Sequence, residues 1–226
     1  MYKMERILIA IGGKGQRAGC VNLNMSSKCF FRVSGKTLLE IIMEYITEVV
    51  KDVEIEIVVT TKEQEEDTHK ALKGMDVTYR IVYNNADDVF HLIHGGVNTL
   101  IVFGDTYFLN GNSIKPMMIE FIQTGNSQFM LLETDDGIDN VVFDIEPKTN
   151  RIRNICAGAQ KYEASQIFIL SGSDCSMIEA KIKCSNRFEV IYHYIMGNST
   201  CYAHMGDCIN INTMEQCLRY GLKAEL

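Results

Sequence analysis

A glycine-rich loop with basic side chains follows an apolar run near the N-terminus. The stretch IAIGGKGQRAG, residues 9–19, places Lys14 and Arg17 among four glycines. Glycines let backbone N–H groups approach a phosphate without a Cβ in the way, and the basic side chains add positive charge. The residues of this loop that could contact a nucleotide are Gly12, Gly13, Lys14, Gly15 and Arg17.

This loop matches neither of two common phosphate-binding signatures. The run from Gly13 to Ala18 lacks the third glycine of a dinucleotide fingerprint, and no Gly-Lys-Ser/Thr closes a Walker A loop. A glycine-rich turn without a chemical role explains the loop about equally well when it is taken alone. The loop therefore needs support from other segments.

A carboxylate ends the apolar stretch LIVFGDTYF, residues 100–108. Gly104 and Asp105 follow four apolar residues, so Asp105 is expected at the carboxyl end of a central strand. Mg²⁺ in proteins takes one or two carboxylates together with phosphate oxygens and waters. Asp105 is thus a candidate metal ligand, and a strand-ending Gly-Asp turn is the alternative.

A third polar cluster occurs in MGDCININTMEQCL, residues 205–218. Asn210 and Asn212 follow a short apolar stretch, and Thr213 is placed to cap the last helix. On its own this stretch indicates only a strand-to-helix junction with good capping.

The elements that position these residues follow an α/β pattern. Short β-branched runs alternate with longer segments of helical period, which predicts a mostly parallel mixed sheet flanked by helices. Residues 141–155 predict a hairpin, an antiparallel excursion in the second half of the chain. Without a linker, residues 1–226 are expected to form a single domain. We predict strands at Arg6–Ile11, Glu54–Thr60, Val77–Tyr83, Leu100–Phe103 and Gln128–Glu133. We also predict helices at about 37–50, 62–73 and 213–222, and each begins with a capping box, at Thr37, Thr61 and Thr213.

Charge and cysteine usage narrow the class of protein. The net charge of −7 argues against nucleic-acid or anionic-membrane partners, although residues 1–39 carry seven basic side chains and one acidic one. The eight cysteines form no CxxC pair, and no signal peptide precedes them, which favours free thiols in a reducing cytoplasm. No apolar run approaches the length of a membrane span. We therefore expect a cytoplasmic protein.

Taken in order, these segments resemble the nucleotidyltransferase family that makes activated sugars, alditols and cofactors from nucleoside triphosphates. That family has G-x-G-x-R after its first strand, then a lysine, a helix-opening gk-P-L-i-E segment, a central G-D, and a closing D-i-g-T-p-E-d or N-i-N-T-p-E-d. The matching residues are Gly13 to Arg17, Lys28, Gly35 to Glu40, Gly104-Asp105, and Asn210 to Gln216.

The resemblance implies a Rossmann-like three-layer fold with a nucleotide under the first loop and Mg²⁺, or Mn²⁺, on Asp105. In this interpretation Arg17 orients the pyrophosphate leaving group, while Lys28 contacts the α-phosphate and the acceptor phosphate. The implied partners are an NTP and a phosphorylated small molecule, with a sugar 1-phosphate as the commonest acceptor in the family. A homo-oligomer is also compatible with the resemblance.

The chain departs from the family pattern at several positions. Ser27 and Thr37 stand where prolines are expected, and the Glu-Lys-Pro of many sugar-phosphate members is missing. Asn210 replaces the second metal carboxylate, as in the molybdenum-cofactor guanylyltransferases, and Asp207 is a nearby candidate substitute. These departures keep open a noncatalytic nucleotide-binding relative, and the missing Asp-x-Asp disfavours a glycosyltransferase.

The expected base and ribose contacts lie in IVYNNADDVF, residues 81–90. Asn84 and Asn85 are the candidate hydrogen-bonding partners of the nucleotide. This segment is slightly more similar to that of phosphocholine cytidylyltransferases than to the G-T-a segment of many sugar members. It does not select a base.

Overall fold

The computed structural model describes residues 1–12, 19–20, 23–133, 142–146, 148–156, 162–182 and 201–223. Gly12 and most other candidate site residues fall within these ranges. Four predicted loop contacts, Gly13, Lys14, Gly15 and Arg17, lie outside the described residues.

A nine-stranded mixed sheet forms the centre of the described fold, as the α/β pattern predicts. The strands in chain order are β1 (Arg6–Ala10), β2 (Arg32–Val33), β3 (Lys36–Thr37), β4 (Glu54–Val59), β5 (Arg80–Tyr83), β6 (Thr99–Phe103), β7 (Thr106–Phe108), β8 (Ser127–Glu133), β9 (Val142–Ile145), β10 (Ile152–Cys156), β11 (Tyr162–Leu170), β12 (Cys201–Met205) and β13 (Cys208–Asn210). The main sheet runs β10-β9-β11-β6-β1-β4-β5, with β8 joined to β11 and β12 joined to β8.

The parallel part of this sheet aligns the ends of four strands. β1 pairs in parallel with both β4 and β6, and β5 pairs in parallel with β4. β11 runs antiparallel to β6 and β8, and β9 and β10 form the predicted antiparallel hairpin. Because β1, β4, β5 and β6 end at the same edge, the residues that follow them lie close together there.

Helices cover both faces of the sheet. The described helices are α1 (Leu38–Val49), α2 (Lys62–Leu72), α3 (Ile114–Thr124), α4 (Gly172–Ile182) and α5 (Met214–Arg219), with 3-10 turns at Lys28–Phe30 and Ala86–Leu92. Both hydrogen bonds of the predicted capping box are present at Thr37 and at Thr213. At Thr61 only half of the box forms, because Gln64 Oε1 accepts from the N–H of Thr60 instead.

Alternation along β1 shows how the three layers are held together. Ile7, Ile9 and the following Ile11 pack into one apolar cluster with α1 and α3, whereas Leu8 and Ala10 pack into another cluster with α4. Each of these five side chains is at most 2% exposed. A strand buried on both faces explains the continuous apolar run from Ile7 to Ile11.

A third apolar cluster joins distant parts of the chain beside the sheet edge. It contains Phe31 and Leu38 from the N-terminal segment and Ile209, Ile211 and Cys217 from the C-terminal segment. The segments are also linked through the backbone, since Arg32 and Lys223 exchange two hydrogen bonds of 2.7 and 2.8 Å. The last described helix is thus fixed against the residues that follow the glycine-rich loop.

Among the described helices, none has the length and apolar character needed to cross a membrane. The side chains of six cysteines are described, and all six are buried; they are Cys20, Cys29, Cys175, Cys201, Cys208 and Cys217.

Candidate active site

Close packing brings the ends of β1 and β6 together. The N–H of Gly104 donates to the carbonyl of Ala10 at 2.8 Å. A Cβ on Gly104 would lie 2.7 Å from Ile11 Cγ2 and 3.1 Å from Cys29 Cβ. A glycine is therefore required here by packing, and it sets the position of Asp105 next to it.

Ser27 anchors the segment that carries Lys28. Its hydroxyl donates to the carbonyl of Ile11 at 2.6 Å and accepts from the N–H of Cys29 at 3.4 Å. Ser27 is only 3% exposed, and its side chain caps the 3-10 turn that begins at Lys28. The residue that replaces the family's proline thus ties Lys28 to the end of β1.

Lys28 lies between two polar side chains from different segments. Its ammonium donates to Asp105 Oδ2 and, at 3.2 Å, to Asn212 Oδ1. The side chains of Lys28 and Asp105 are each 15% exposed, so this ion pair is partly shielded from water but can be reached. Residues 77 and 184 positions away from Lys28 in the sequence meet it at one point.

The start of α5 holds Asn212 in place. Gln216 Oε1 accepts from the N–H of Asn212 at 2.6 Å and from the N–H of Thr213 at 3.0 Å. In return, Thr213 Oγ1 accepts from the N–H of Gln216 at 3.2 Å. The capping box therefore also fixes the backbone of a residue that contacts Lys28.

The small sheet of β7 and β13 adds two buried oxygens beside Asp105. Thr106 and Asn210 are cross-strand partners, and the N–H of Ile211 donates to the carbonyl of Asp105 at 2.9 Å. The Thr106 hydroxyl and Asn210 Oδ1 are both buried and have no hydrogen-bond partner in the described part of the chain. Buried oxygens without partners are costly unless a ligand, ion or water satisfies them.

These groups fit a hard divalent cation that brings its own ligands. No three His, Cys, Asp or Glu side chains converge on one point within the described ranges. Asp105 offers one carboxylate, and Asn210 offers an amide oxygen that has no hydrogen-bond partner among the described residues. Mg²⁺ is commonly held by one or two carboxylates while phosphates and waters complete its shell, so this donor set fits the expected metal.

The structure places Asp207 away from this cluster. Asp207 precedes β13 at its far end from Asn210, and its carbonyl accepts from the N–H of Leu109 at 2.7 Å. Its carboxylate accepts from Asn110 Nδ2 at 3.2 Å. Asn210 is three residue steps beyond Asp207, about 10 Å along an extended strand. The pairing of β7 with β13 therefore places the backbone of Asn210 nearer to Asp105 than that of Asp207.

Asn84 and Asn85 lie past the end of β5 at the same edge of the sheet. The N–H of Asn84 donates to the carbonyl of Val59 at 2.9 Å, which extends the pairing of β4 and β5. Its side-chain oxygen accepts from the N–H of Asn85 at 2.8 Å and stabilises a local turn. Gly12, the described residue of the loop after β1, is half-buried at the same edge.

The thiols around this site are poor nucleophiles. Burial raises the pKa of Cys20 to about 11, although the nearby Lys28 opposes this rise. Burial also raises the pKa of Cys29 and of Cys217. These thiols therefore stay protonated near neutral pH, and covalent catalysis through them is disfavoured.

Three contributors to the site carry weak signals in the sequence. The sequence pattern indicates only an ordinary strand residue at Thr106 and only part of a helix cap at Gln216. Asn212 belongs to the closing motif, but nothing local indicates that it contacts Lys28. Its role depends on a contact across 184 residues, which only the fold reveals.

Sequence comparisons give no assignment, since no family model matches the chain and no curated protein matches it. Solved structures do match over nearly the whole chain. A protein described as a glucose-1-phosphate thymidylyltransferase of Bacillus anthracis, in complex with sucrose, superposes with a TM-score of 0.78 at 16% identity, covering 96% of this chain and 93% of that one.

Two further structures show the same architecture. The UTP-bound UGPase of Acinetobacter baumannii has a TM-score of 0.72 at 12% identity, covering 96% of this chain and 92% of that one. The CTP:phosphocholine cytidylyltransferase of Streptococcus pneumoniae has a TM-score of 0.71 at 16% identity, covering 96% and 97%. The Rossmann-like fold that the motifs predicted is confirmed: this chain has the fold of the nucleotidyltransferases.

Proposed function

We propose that the protein is a nucleotidyltransferase that moves a nucleoside monophosphate from an NTP to a phosphorylated small molecule. The observation that carries the proposal is the convergence of Lys28, Asp105, Asn210 and Asn212 at the carboxyl edge of the sheet, where α/β folds bind ligands. The likeness to solved nucleotidyltransferases supports the same class. The product would be of the NDP-sugar type, with pyrophosphate released.

In the proposed reaction an oxygen of the acceptor phosphate attacks the α-phosphorus of the NTP. A new P–O bond forms there, the bond from the α-phosphorus to the bridging oxygen breaks, and the electron pair leaves with pyrophosphate. Such a transfer depends on alignment and charge neutralisation more than on covalent chemistry. Mg²⁺ or Mn²⁺, when bound, would supply charge neutralisation on the phosphate oxygens.

The residues of this chain divide that work. Lys28 would bind the α-phosphate and the acceptor phosphate through its ammonium, which the Ser27 cap and Asn212 hold at the sheet edge. Asp105 and Asn210 would hold the metal through their side-chain oxygens. We assign Arg17 to the leaving pyrophosphate from its place in the glycine-rich motif, and Asn84 and Asn85 to the nucleotide.

A pyrophosphate-release screen tests the proposal. Each of the four NTPs is combined with sugar 1-phosphates, alditol phosphates and phosphocholine, with Mg²⁺ or Mn²⁺ present or removed. We expect at least one pair to release pyrophosphate and a sugar 1-phosphate to be among the active acceptors. Release should require the metal and disappear in Asp105→Ala. Nucleotide binding without turnover on any acceptor would contradict the proposal and favour a noncatalytic relative.

A further inference from the structure

The Lys28 ammonium and a divalent cation require the same carboxylate. In the described structure Lys28 donates directly to Asp105 Oδ2, and Asn212 Oδ1 holds the ammonium from a second side. Asp105 supplies the one carboxylate of the Lys28, Asp105, Asn210 and Asn212 cluster. A metal ion that binds Asp105 would therefore compete with the Lys28 ammonium, which already neutralises that carboxylate.

Electrostatics makes the two cations mutually exclusive as long as the ammonium stays in place. Both side chains of the ion pair are 15% exposed, so water screens the repulsion between the two cations only partly. Asn210 Oδ1, which has no hydrogen-bond partner among the described residues, adds a dipole without a formal charge. Within the described part of the chain, no second negative charge is seen at the site to hold a dication against the neighbouring ammonium.

We propose that Lys28 acts as an internal counter-cation of Asp105, which disfavours metal binding until a polyphosphate draws the ammonium away. This inference rests on the proposed function, because the polyphosphate is the triphosphate chain of the NTP. A triphosphate offers Lys28 several anionic oxygens, and Asp105 is then released to the metal. Metal and nucleotide binding are thereby coupled through one side chain.

Metal binding without nucleotide tests this coupling directly. Free Mn²⁺ is counted by electron paramagnetic resonance during titration of the wild type, of Lys28→Met and of Lys115→Met. Lys115 is a matched control, since it forms a 2.6 Å ion pair with Glu48 on the surface. We expect Lys28→Met to bind Mn²⁺ at least about tenfold more tightly than the wild type, and Lys115→Met to match the wild type.

Thermal shifts supply a second readout. Mn²⁺ alone should raise the Tm of Lys28→Met but leave that of the wild type nearly unchanged, while Mn²⁺ with inorganic tripolyphosphate should raise the wild-type Tm. Adding Asp105→Asn to Lys28→Met should abolish the gained Mn²⁺ site. If Lys28→Met does not fold, Lys28→Gln takes its place, because glutamine can still donate to Asp105 without carrying a charge.

Unchanged or weaker Mn²⁺ binding in a folded Lys28 variant overturns the inference, and so does a wild type that binds Mn²⁺ alone as tightly as that variant. These outcomes are independent of turnover. A wild type that releases no pyrophosphate in the screen would defeat the proposed function, yet the Mn²⁺ comparison would still report whether Lys28 and the metal compete.

Discussion

Two ion pairs near opposite ends of the central strands have very different surroundings. Near the amino ends, Arg6 of β1 binds Glu56 of β4 through two hydrogen bonds of 2.5 and 2.8 Å, and Arg80 donates to the same carboxylate at 2.8 Å. Arg6 also donates to the carbonyl of Leu92. At the carboxyl edge, Lys28 binds Asp105 beside two buried oxygens that have no partner in the described chain.

The difference separates a structural ion pair from the pair to which we assign a function. Glu56 is fully buried, and both of its oxygens are used, so a ligand has nothing left to bind. The Lys28 pair is partly open to water, and it lies near the Thr106 hydroxyl and Asn210 Oδ1, for which the described residues provide no hydrogen-bond partner. Polar groups that lack hydrogen-bond partners at a sheet edge remain available to bind a ligand.

The largest effect is expected from breaking the structural pair. Arg6→Met leaves the buried Glu56 carboxylate with Arg80 alone and should lower the free energy of unfolding by about 3 kcal/mol or more. Urea denaturation measures this loss. Turnover per folded molecule should stay close to the wild-type value, and a large fall in turnover at unchanged stability would reverse the distinction between the two pairs.

The opposite outcome is expected at the carboxyl edge. Asp105→Asn should reduce kcat by about two to three orders of magnitude, because the metal loses its carboxylate, while stability changes by less than about 1 kcal/mol. Asp207→Asn is the matched control, since that carboxylate lies away from the cluster. Equal losses in both variants would mean that Asp207 also serves the reaction.

Substitutions at Ser27 test how rigidly Lys28 must be held. Ser27→Ala removes the hydrogen bond to the buried carbonyl of Ile11 and should cost about 1–3 kcal/mol together with part of kcat. Ser27→Pro, which introduces the family residue, should cost more, because Ser27 has φ −157° and proline requires about −65°. Unfolding midpoints show which of the two variants is less stable. A proline variant that is more stable than the alanine variant would refute this prediction.

A smaller effect is expected at the two capping boxes. Gln216→Ala and Glu40→Ala should each cost about 1 kcal/mol of stability, because both remove the reciprocal half of a box. Only Gln216→Ala should also lower kcat, since Gln216 fixes the backbone of Asn212. Steady-state kinetics of the two variants side by side provide the comparison. Equal kcat values would remove Gln216 from the site.

The smallest effect is a pH dependence of the structural pair. Burial would raise the pKa of the Glu56 carboxyl, but the hydrogen bonds from Arg6 and Arg80 outweigh burial and hold this pKa below its usual value of 4.5. The stabilisation is therefore present above pH 4.5 and is lost as the pH falls through the lowered value. As the pH drops below 4.5, the unfolding free energy of Glu56→Gln should fall less steeply than that of the wild type. Parallel curves for the two proteins would contradict this assignment.

Local signals made most of the fold predictable. The five predicted strands exist, and their ends shift by no more than three residues. They could be predicted because β-branched runs and the apolar pattern of buried strands are visible in short stretches of sequence. The caps at Thr37 and Thr213 were predictable for the same reason. The last helix is shorter than predicted and ends at Arg219, since Gly221 then adopts a positive φ of 67°.

The residues of the candidate site could be named from the sequence, but most of their contacts could not. Lys28, Asp105 and Asn210 belong to motifs that can be read in order along the chain. That Asn210 rather than Asp207 lies beside the Asp105 segment depends on the pairing of β7 with β13, a register that no local pattern encodes. The contact of Asn212 with Lys28 links residues 184 positions apart. The Arg6 and Glu56 pair was equally hidden, because it links residues 50 positions apart.

The two backbone hydrogen bonds between Arg32 and Lys223 have a consequence for biosynthesis. A chain emerging from the ribosome completes the β1 to β6 strands and Asp105 long before residues 210–223 exist. Until then Lys28 lacks Asn212, and the third apolar cluster lacks Ile211, Cys217 and Leu222. The candidate site of the nascent protein is therefore expected to stay incomplete through most of translation, until the segment bearing Lys223 docks.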